Sequence, residues 1–463
     1  MLSHNTNWAL AATFCLVWIV MASHAAPACA LDDRPNIVLI FTDDQGWNDI
    51  SCYGSEIPTP NIDSLAAEGL KFNQFYAASS ICTPSRFGLL TGRYSIRSRD
   101  HLNSALMFLD DADAQRGIHP GETTYVNLLQ ESGYRTALVG KWHLGHGDNR
   151  FWPTNHGFES FFGHTGGCVD FFTLHYGSQP DWYRNHELVE PGSYATDAIT
   201  DEAIRFLKEQ SSADRPFYLH LAYNAPHYGK ASDAVDGAAI NVMQPKPDDL
   251  ARVPASIEDA NRRAFAAKVM GLDQSIGRIL ETLRQIAVAD NTLVIFMTDH
   301  GADPDYGGSN LPLRGGKATL FEGGLRVPCL VRWPAKIPAG LQTDVVACGV
   351  DCFPTLCFVA GIDATQYSLD GLNLVPLITE AAAATSSREL FWHTGAHQAL
   401  NRNDWSALRV GNLKLVRAPN QPDQLFDLSV DPLERKDLAG SFPEELARLS
   451  SRLNELLSSA EPH

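Results

Sequence analysis

The 463-residue sequence is poor in basic residues, with 36 lysines and arginines against 54 aspartates and glutamates. The net charge of −18 argues against nucleic acid and anionic membranes as partners. The chain also lacks internal repeats, Asn-x-Ser/Thr glycosylation acceptors and low-complexity tracts other than Ala381 to Ser387, which is expected to be a loop. An anionic substrate would therefore have to be drawn in by a local pocket of positive charge.

The N-terminal apolar run from Trp8 to Met21 is short for a membrane span. Ala28-Cys29-Ala30 follows it as a small-residue cleavage pattern. These features predict a signal peptide over residues 1–30, export to a periplasmic, secreted or lysosome-like compartment, and no stable membrane insertion. Because no Lys or Arg precedes the run, a membrane anchor or a lipid modification of Cys29 stays open.

The cysteines do not decide whether the protein contains disulfides. Once the predicted signal peptide and Cys82 are set aside, six remain: Cys52, Cys168, Cys329, Cys348, Cys352 and Cys357. In an exported protein they permit disulfides, but they equally suit buried core thiols, and both interpretations stay open.

Short apolar runs rich in β-branched residues predict strands buried on both faces of a parallel sheet, at residues 36–42, 216–224 and 292–298. Polar side chains follow these runs: Asp43 and Asp44, His227, and Asp299 and His300. An α/β sheet places ligand groups at the carboxyl ends of its strands, so these residues are candidates for one site. The three carboxylates offer the hard oxygen ligands that a divalent cation prefers.

Helices are predicted over Asn261 to Ile286, by three- and four-residue apolar spacing, and over Asp344 to Gly361. The first is interpreted as core packing only. Short strand-like runs at residues 405–416 and 424–430, followed by an amphipathic helix, predict a small C-terminal antiparallel sheet with one packed helix. A chain of this length is expected to form a large domain with a smaller one attached.

Residues 82–92, CTPSRFGLLTG, have the pattern of a helix start. Pro84 suits the first helical turn, and the free amides there, together with Arg86, form a place for an anion. Cys82 lies beside that place, although a buried structural cysteine is the alternative. A later strand that ends at Lys141 places that residue and His143, two positions on, on one side of the chain.

Three stretches resemble the signatures of the type I sulfatases, the formylglycine-dependent, arylsulfatase-like members of the alkaline-phosphatase-like superfamily: residues 82–92, 133–143 and 315–328. The resemblance runs from Pro35 to Pro432. It implies an α/β fold with a large, mixed and mostly parallel sheet flanked by helices, and a smaller C-terminal antiparallel sheet plus helix. The implied division is a catalytic domain over residues 31–385 and a C-terminal subdomain over residues 386–463.

The resemblance also implies residue roles. A formylglycine-generating enzyme oxidises Cys82 to formylglycine, whose hydrate attacks sulfur with one hydroxyl and releases sulfate when the other is deprotonated. One divalent metal, most often calcium, binds the modified Cys82 and four further residues: Asp43, Asp44, Asp299 and His300. Because nitrogen is a poor calcium ligand, His300 leaves magnesium or manganese open.

The remaining implied residues carry positive charge or transfer protons. Arg86 and Lys141 hold the formylglycine, and His143 acts as base in the elimination step. His227 and Lys317 bind sulfate and assist the leaving oxygen, while Glu322 and Arg326 in the third signature hold the fold.

The expected function is hydrolysis of sulfate esters of a small molecule or glycan, with a sulfated sugar as the family's usual substrate. A phosphonate monoester or phosphodiester hydrolase of the same superfamily is the enzymatic alternative. A catalytically silent protein that binds sulfated glycans is the alternative outside enzymes.

Overall fold

The computed structural model describes residues 34–109, 111–210, 214–379, 388–396 and 404–459. The predicted signal peptide, the loop at 381–387 and the domain boundary at 385/386 lie outside the described residues. Within those ranges, no helix combines the length and apolar character that crossing a membrane requires.

The β-strands are, in chain order, β1 Asn36–Asp43, β2 Leu70–Phe72, β3 Phe75–Tyr76, β4 Arg135–Lys141, β5 Ser160–His164, β6 His175–Tyr176, β7 Gln179–Pro180, β8 Tyr183–Arg184, β9 Glu187–Leu188, β10 Phe217–Pro226, β11 Gly229–Ser232, β12 Ala239–Val242, β13 Thr292–Thr298, β14 Cys329–Arg332, β15 Leu341–Thr343, β16 Ala347–Cys348, β17 Glu389–Thr394, β18 Trp405–Val410, β19 Leu413–Arg417 and β20 Gln424–Asp427. The α-helices are α1 Pro60–Ala67, α2 Cys82–Thr91, α3 Asp111–Ala114, α4 Tyr125–Glu131, α5 Ala195–Gln210, α6 Pro247–Ala251, α7 Ala260–Gln285, α8 Glu322–Leu325, α9 Cys352–Val359, α10 Val375–Thr379 and α11 Pro443–Ser458.

A ten-stranded sheet organises the described residues, in the order β15-β2-β14-β13-β1-β10-β4-β5-β8-β9. Its five central strands, β13 to β5 in that order, are all parallel, whereas β14, β8 and β9 pair antiparallel with their neighbours. The carboxyl ends of β1, β4, β10 and β13 therefore lie at one edge. The predicted mixed, mostly parallel sheet is confirmed.

Both faces of this sheet are covered, which is why its central strands are almost wholly apolar. Along β1, Leu39 and Phe41 pack into the core formed with α2, α4 and α9. Val38 and Ile40 point to the opposite face and pack with α1, α5 and α7. The alternation follows from the two-residue period of a strand and gives the sheet a hydrophobic layer on each side.

The small C-terminal sheet is antiparallel, in the order β17-β18-β19-β20, and α11 packs on it through Leu449 and Leu453. The same hydrophobic core includes Tyr76 and Phe321 from the larger part of the chain. The predicted small sheet with one helix is confirmed, and it shares its core with the main body.

Buried charged residues and one tyrosine connect the two sheets. We call this group the junction cluster; its members are Tyr76, Glu322, Arg409, Lys414 and Glu434. The Lys414 ammonium lies 2.8 Å from a Glu322 carboxylate oxygen and 2.9 Å from one of Glu434. Glu434 accepts a hydrogen bond from the backbone N–H of Glu322, and Tyr76 donates its hydroxyl to Glu322. The structure thus agrees with the structural role expected for Glu322.

Two local predictions are decided by tertiary contacts. The helix expected over residues 344–361 is wrong in its first half, because Ala347–Cys348 extend as β16 to pair with β3, and the helix begins only at Cys352. Among the described residues all seven cysteines are free thiols, so the disulfide interpretation is wrong. The core-thiol interpretation is confirmed for five of the six cysteines in question, and Cys52 is half-buried.

Candidate active site

The carboxyl edge of the large sheet collects the side chains that the sequence singles out. We call the charged group there the strand-end cluster; its members are Asp43, Asp44, Cys82, Arg86, Lys141, Asp299, His300 and Lys317. His143 and His227 line the cavity above it together with Cys82 and Lys317. All ten predicted site residues therefore lie in one region.

The ends of β1 and β13 supply the acidic part of the cluster. Because the two strands are parallel and in register, Asp43 and Asp44 lie beside Asp299 and His300. The backbone N–H of Asp44 donates to Asp299 Oδ1 over 3.1 Å. Asp44 has a left-handed backbone (φ 60°), a conformation that aspartate tolerates better than most residues and that is common at active sites.

Cys82 is the first residue of α2, and only 3% of its surface is exposed. Its Sγ lies 3.1 Å from His300 Nε2 and 3.6 Å from Asp43 Oδ1. The Ser85 hydroxyl, one turn along α2, donates to the backbone carbonyl of Asp299. This contact fixes the start of the helix against the end of β13.

Three cations face the carboxylates. Lys141 Nζ donates to Asp43 Oδ2 over 2.6 Å, and Arg86 Nη2 lies 3.8 Å from Asp43 and 3.6 Å from Asp299. Lys317 Nζ contacts both carboxylate oxygens of Asp44, at 2.7 and 2.8 Å. Lys141 reaches its position because β4 approaches β10 closely at the preceding Gly140 (φ 119°), where a Cβ would lie 1.9 Å from the Ala222 carbonyl oxygen.

Each of three histidines is held by a backbone carbonyl, which can only accept a hydrogen bond. His227 and His300 use Nδ1, on Tyr228 and Gly301, and so turn Nε2 into the site. His143 uses Nε2, on Leu106, and its buried Nδ1 has no partner among the described residues. A side chain at Gly167 would lie 2.7 Å from the His143 ring, so glycine allows this close approach.

Burial and the close approach of charged groups shift the pKa values of several residues in this region. Burial raises the pKa of Asp299 well above its usual value, and the nearby charge of Asp43 adds to the effect. Burial would lower the pKa of His300, but Asp299 and Cys82 raise it to about 9. Burial and the Lys141 charge hold the pKa of His143 well below its usual value, so its imidazole is neutral at neutral pH. Although burial opposes it, Lys141 and Lys317 lower the pKa of the Cys82 thiol to about 7.

The donor set fits one divalent cation. Ligand atoms of Asp43, Cys82, Asp299 and His300 all lie within 4.8 Å of one another. Asp299 Oδ2 is buried and accepts no hydrogen bond from the described residues. Its charged neighbours, His300 Nε2 at 3.4 Å and Arg86 Nη2 at 3.6 Å, are too far for a hydrogen bond of ordinary length. A buried carboxylate oxygen in that position is costly unless a cation approaches more closely, so these residues suit a hard metal ion.

Sequence reasoning missed one buried charge near the site. Lys268 lies on α7, the helix assigned to core packing, and is 3% exposed. Its ammonium donates to the backbone carbonyl of His227 and lies 3.3 Å from the centre of the Phe171 ring. It therefore fixes the loop that carries His227. The signal in the sequence was a lysine between the apolar positions Phe265 and Val269 of the predicted helix.

The cavity above Cys82 has a volume of about 110 Å³. Its walls include the rings of Phe108, Tyr176 and Tyr228. Tyr176 belongs to an aromatic-rich segment between Gly166 and Asn185. Trp182 of the same segment is buried and stacks on His164, so this part of the segment packs within the fold, whereas Tyr176 faces the cavity.

Known proteins resemble this chain over most of its length. Residues 35–362 match the Sulfatase family model, and residues 316–461 match that of the N-sulphoglucosamine sulphohydrolase C-terminal region. Human N-acetylgalactosamine-6-sulfatase is 33% identical over 473 residues, covering 90% of this chain and 84% of that protein. Human arylsulfatase A is 31% identical, covering 92% and 88%.

A solved structure shares the fold over nearly the whole chain. The crystal structure of Ps i-CgsB in complex with k-i-k-neocarrahexaose superposes with a TM-score of 0.82 at 30% sequence identity, and the match covers 92% of this chain and 93% of that one.

Proposed function

Because the chain belongs to the sulfatase family and is a sulfuric ester hydrolase, we propose that its substrate is a sulfated sugar, free or within a glycan. The reaction removes sulfate from that sugar. The observation that carries the proposal is the convergence of Cys82, three carboxylates and three cations at one sheet edge. Relatives named for N-acetylgalactosamine-6-sulfate chemistry, and a structural neighbour crystallised with neocarrahexaose, support a sugar substrate.

We assign the metal to Asp43, Asp44, Asp299 and His300, together with the modified residue 82. The oxygen-rich donor set favours calcium, and the nitrogen of His300 makes magnesium or manganese the alternative. When bound, the ion supplies positive charge to a sulfate oxygen and to the nucleophile.

Cys82 is the precursor of the nucleophile in this proposal, and a formylglycine-generating enzyme is its maturation partner. Formylglycine supplies a hydroxyl group as its hydrate. Arg86 and Lys141 orient that group, since they already surround Asp43 next to the sulfur. Both side chains are buried, so their charges act in a water-poor environment where electrostatic stabilisation is strong.

Proton transfer falls to the two cavity histidines. His143 lines the cavity, is neutral at neutral pH and has a buried Nδ1 without a hydrogen-bond partner among the described residues, which suits a base. His227 Nε2 lies 3.1 Å from Lys317 Nζ, and we place this pair at the leaving oxygen and a sulfate oxygen. Lys268 positions His227 through its carbonyl.

The test combines mass spectrometry with an activity screen. In enzyme from a host able to make formylglycine, the peptide containing residue 82 should have the aldehyde mass and the protein should release sulfate from defined sulfated saccharides. Cys82→Ala should lower kcat at least about 1,000-fold, because it removes the nucleophile. Cys52→Ala, which changes a half-buried thiol outside the cavity, should retain activity.

Paired esters of one phenol decide between the enzymatic alternatives. A faster rate on the phosphodiester than on the sulfate would favour a phosphodiester or phosphonate hydrolase. Saccharide binding without any sulfate release by fully converted enzyme would favour a silent binding protein.

We also propose export through the signal peptide over residues 1–30, and a chain divided at 385/386. N-terminal sequencing of protein recovered outside the cytoplasm should begin near Leu31. Retention of residues 1–30 in that material would contradict the proposal.

A further inference from the structure

One ammonium group at the cavity above Cys82 is not neutralised by a carboxylate. Lys230, on β11, and Lys317 are the lysines among the lining residues. Lys317 is paired with Asp44, whereas the described residues give Lys230 no carboxylate partner. In a protein of net charge −18, an unpaired cation beside the site is a position that attracts anions.

Neutral groups hold this ammonium in place. Lys230 Nζ donates to Asn241 Oδ1 over 2.6 Å, and Asn241 Nδ2 donates to the Tyr306 hydroxyl over 2.7 Å. The Tyr176 ring lies 5.4 Å from Nζ. An amide and a ring restrict the side chain without pairing it with a carboxylate. Asp303 lines the same cavity, but the described residues show no ion pair between it and Lys230, so the ammonium can meet an anionic ligand.

Aromatic rings connect Lys230 with the floor of the cavity. Tyr306 packs against Tyr228 with ring centres 4.3 Å apart, and the Tyr228 ring lies 3.9 Å from that of His227. Lys317 Nζ is 5.7 Å from the centre of the Tyr228 ring. The path from the floor to Lys230 is therefore an aromatic wall, which suits the apolar face of a sugar ring.

We propose that Lys230 is a second anion-binding position, which holds a carboxylate or a further sulfate of the substrate while the sulfate to be cleaved lies at residue 82. The inference rests on the proposed function and names its substrate class as a multiply anionic saccharide. Lys230 acts in specificity and takes no part in bond cleavage.

The test compares Lys230→Met with the parent enzyme on matched substrates: an aryl sulfate, a monosulfated saccharide, the same saccharide with a second sulfate, and one carrying a uronic acid. For the saccharides with a second anion, KM should rise about fivefold to tenfold with kcat nearly unchanged, as for loss of a partly exposed charged contact. For the first two substrates, kcat/KM should stay within about twofold. The two doubly anionic substrates show whether the second group is a sulfate or a carboxylate.

Two further variants separate charge from structure. Asn241→Asp places a carboxylate against Lys230 and should raise KM for the doubly anionic substrates in the same way, although the lysine remains. Lys436→Met removes an exposed lysine far along the chain and should change neither class. The preference of the parent enzyme for a second anion should also weaken as salt rises.

Equal losses on all four substrates would overturn the inference, because Lys230 would then act on the site generally. Equal KM values of parent and Lys230→Met on the doubly anionic substrates would overturn it too. Both results leave sulfate release intact, whereas failure of the proposed function would appear as no sulfate release from any substrate by the converted parent enzyme.

Discussion

The junction cluster and the strand-end cluster are both built from buried carboxylates and cations, but they have different roles in the molecule. In the junction cluster, Lys414 lies between Glu322 and Glu434, and Tyr76 and a backbone N–H supply further donors. In the strand-end cluster three carboxylates converge, and Asp299 Oδ2 accepts no hydrogen bond from the described residues. Both carboxylates of the junction cluster lie within 2.9 Å of the Lys414 ammonium, whereas the ion-pair contacts of Asp299 Oδ2 are longer, 3.4 Å to His300 Nε2 and 3.6 Å to Arg86 Nη2. The tightly paired charges join two sheets, and the loosely paired ones leave a ligand position for an ion.

The largest expected effect is on stability, at the junction cluster. Lys414→Met removes the cation between two buried carboxylates and should lower the free energy of unfolding by about 3–5 kcal/mol. The specific activity of the folded fraction, measured at low temperature, should stay close to that of the parent. Denaturant unfolding with the exposed Lys436→Met as control checks this, and a loss of activity in fully folded Lys414→Met would contradict the separation of the two clusters.

The next effect is on the response to metal, at the strand-end cluster. A ligand at 100 times its Kd stabilises a protein by about 2.7 kcal/mol, so calcium should raise the melting temperature of the parent after chelation. Asp299→Asn should lose most of that rise. Without added metal it should be at least as stable as the parent, because it relieves the crowding of Asp43 and Asp299.

Asp273→Asn is the matched control for that prediction. Asp273 is also buried, but it accepts hydrogen bonds from two backbone N–H groups and the Asn61 amide. Its substitution should reduce stability and preserve the calcium response. A calcium response retained by Asp299→Asn would contradict the assignment of Asp299 as a ligand.

The smallest effect concerns pH. Burial raises the pKa of Glu434 from its usual 4.5 to about 7, against the Lys414 charge. When folding raises the pKa of an acid, the folded state holds the proton more tightly than the unfolded state does. The resulting contribution to stability is fully present below the pKa of the unfolded state and is lost as the pH rises through the pKa of the folded state. Between pH 4.5 and 7 the parent should lose about 1–3 kcal/mol relative to Glu434→Gln.

Unfolding curves across this pH range check the expectation, with the exposed Glu444→Gln as reference. If Glu434→Gln follows the parent at every pH, Glu434 does not titrate in the folded protein as its burial implies.

Much of the fold and the site was predictable because the signals lie in consecutive residues. The apolar run of β1 and the carboxylates that follow it are neighbours in the chain, and so are Cys82 and the turn of α2 that contains Arg86. Parallel strands then bring such ends together without further information. The predicted strand over residues 292–298 and the helix over residues 261–286 are confirmed almost to the residue.

The parts that could not be predicted depend on partners far apart in sequence. Residues 344–348 form no helix because β3 offers them a pairing partner about 270 positions earlier. In the sequence, Lys268 is only a charged residue within a predicted core helix. The structure shows its function, because the His227 carbonyl that accepts its hydrogen bond lies 41 positions earlier in the chain. The sequence does not indicate a binding role for Lys230, because that role depends on the cavity that the folded chain forms around it.

The position of β1 in the middle of the sheet has a consequence for the order of events during synthesis. Asp44 and Asp299 meet across 255 positions, and Lys317 reaches Asp44 across 273. β1, the first strand among the described residues, is therefore synthesised well before its neighbours β10 and β13 and stays unpaired until they are made. Such delayed pairing of an apolar strand is slow and prone to aggregation. A nascent chain that stops before Lys317 lacks β14 and β15, so its large sheet is incomplete.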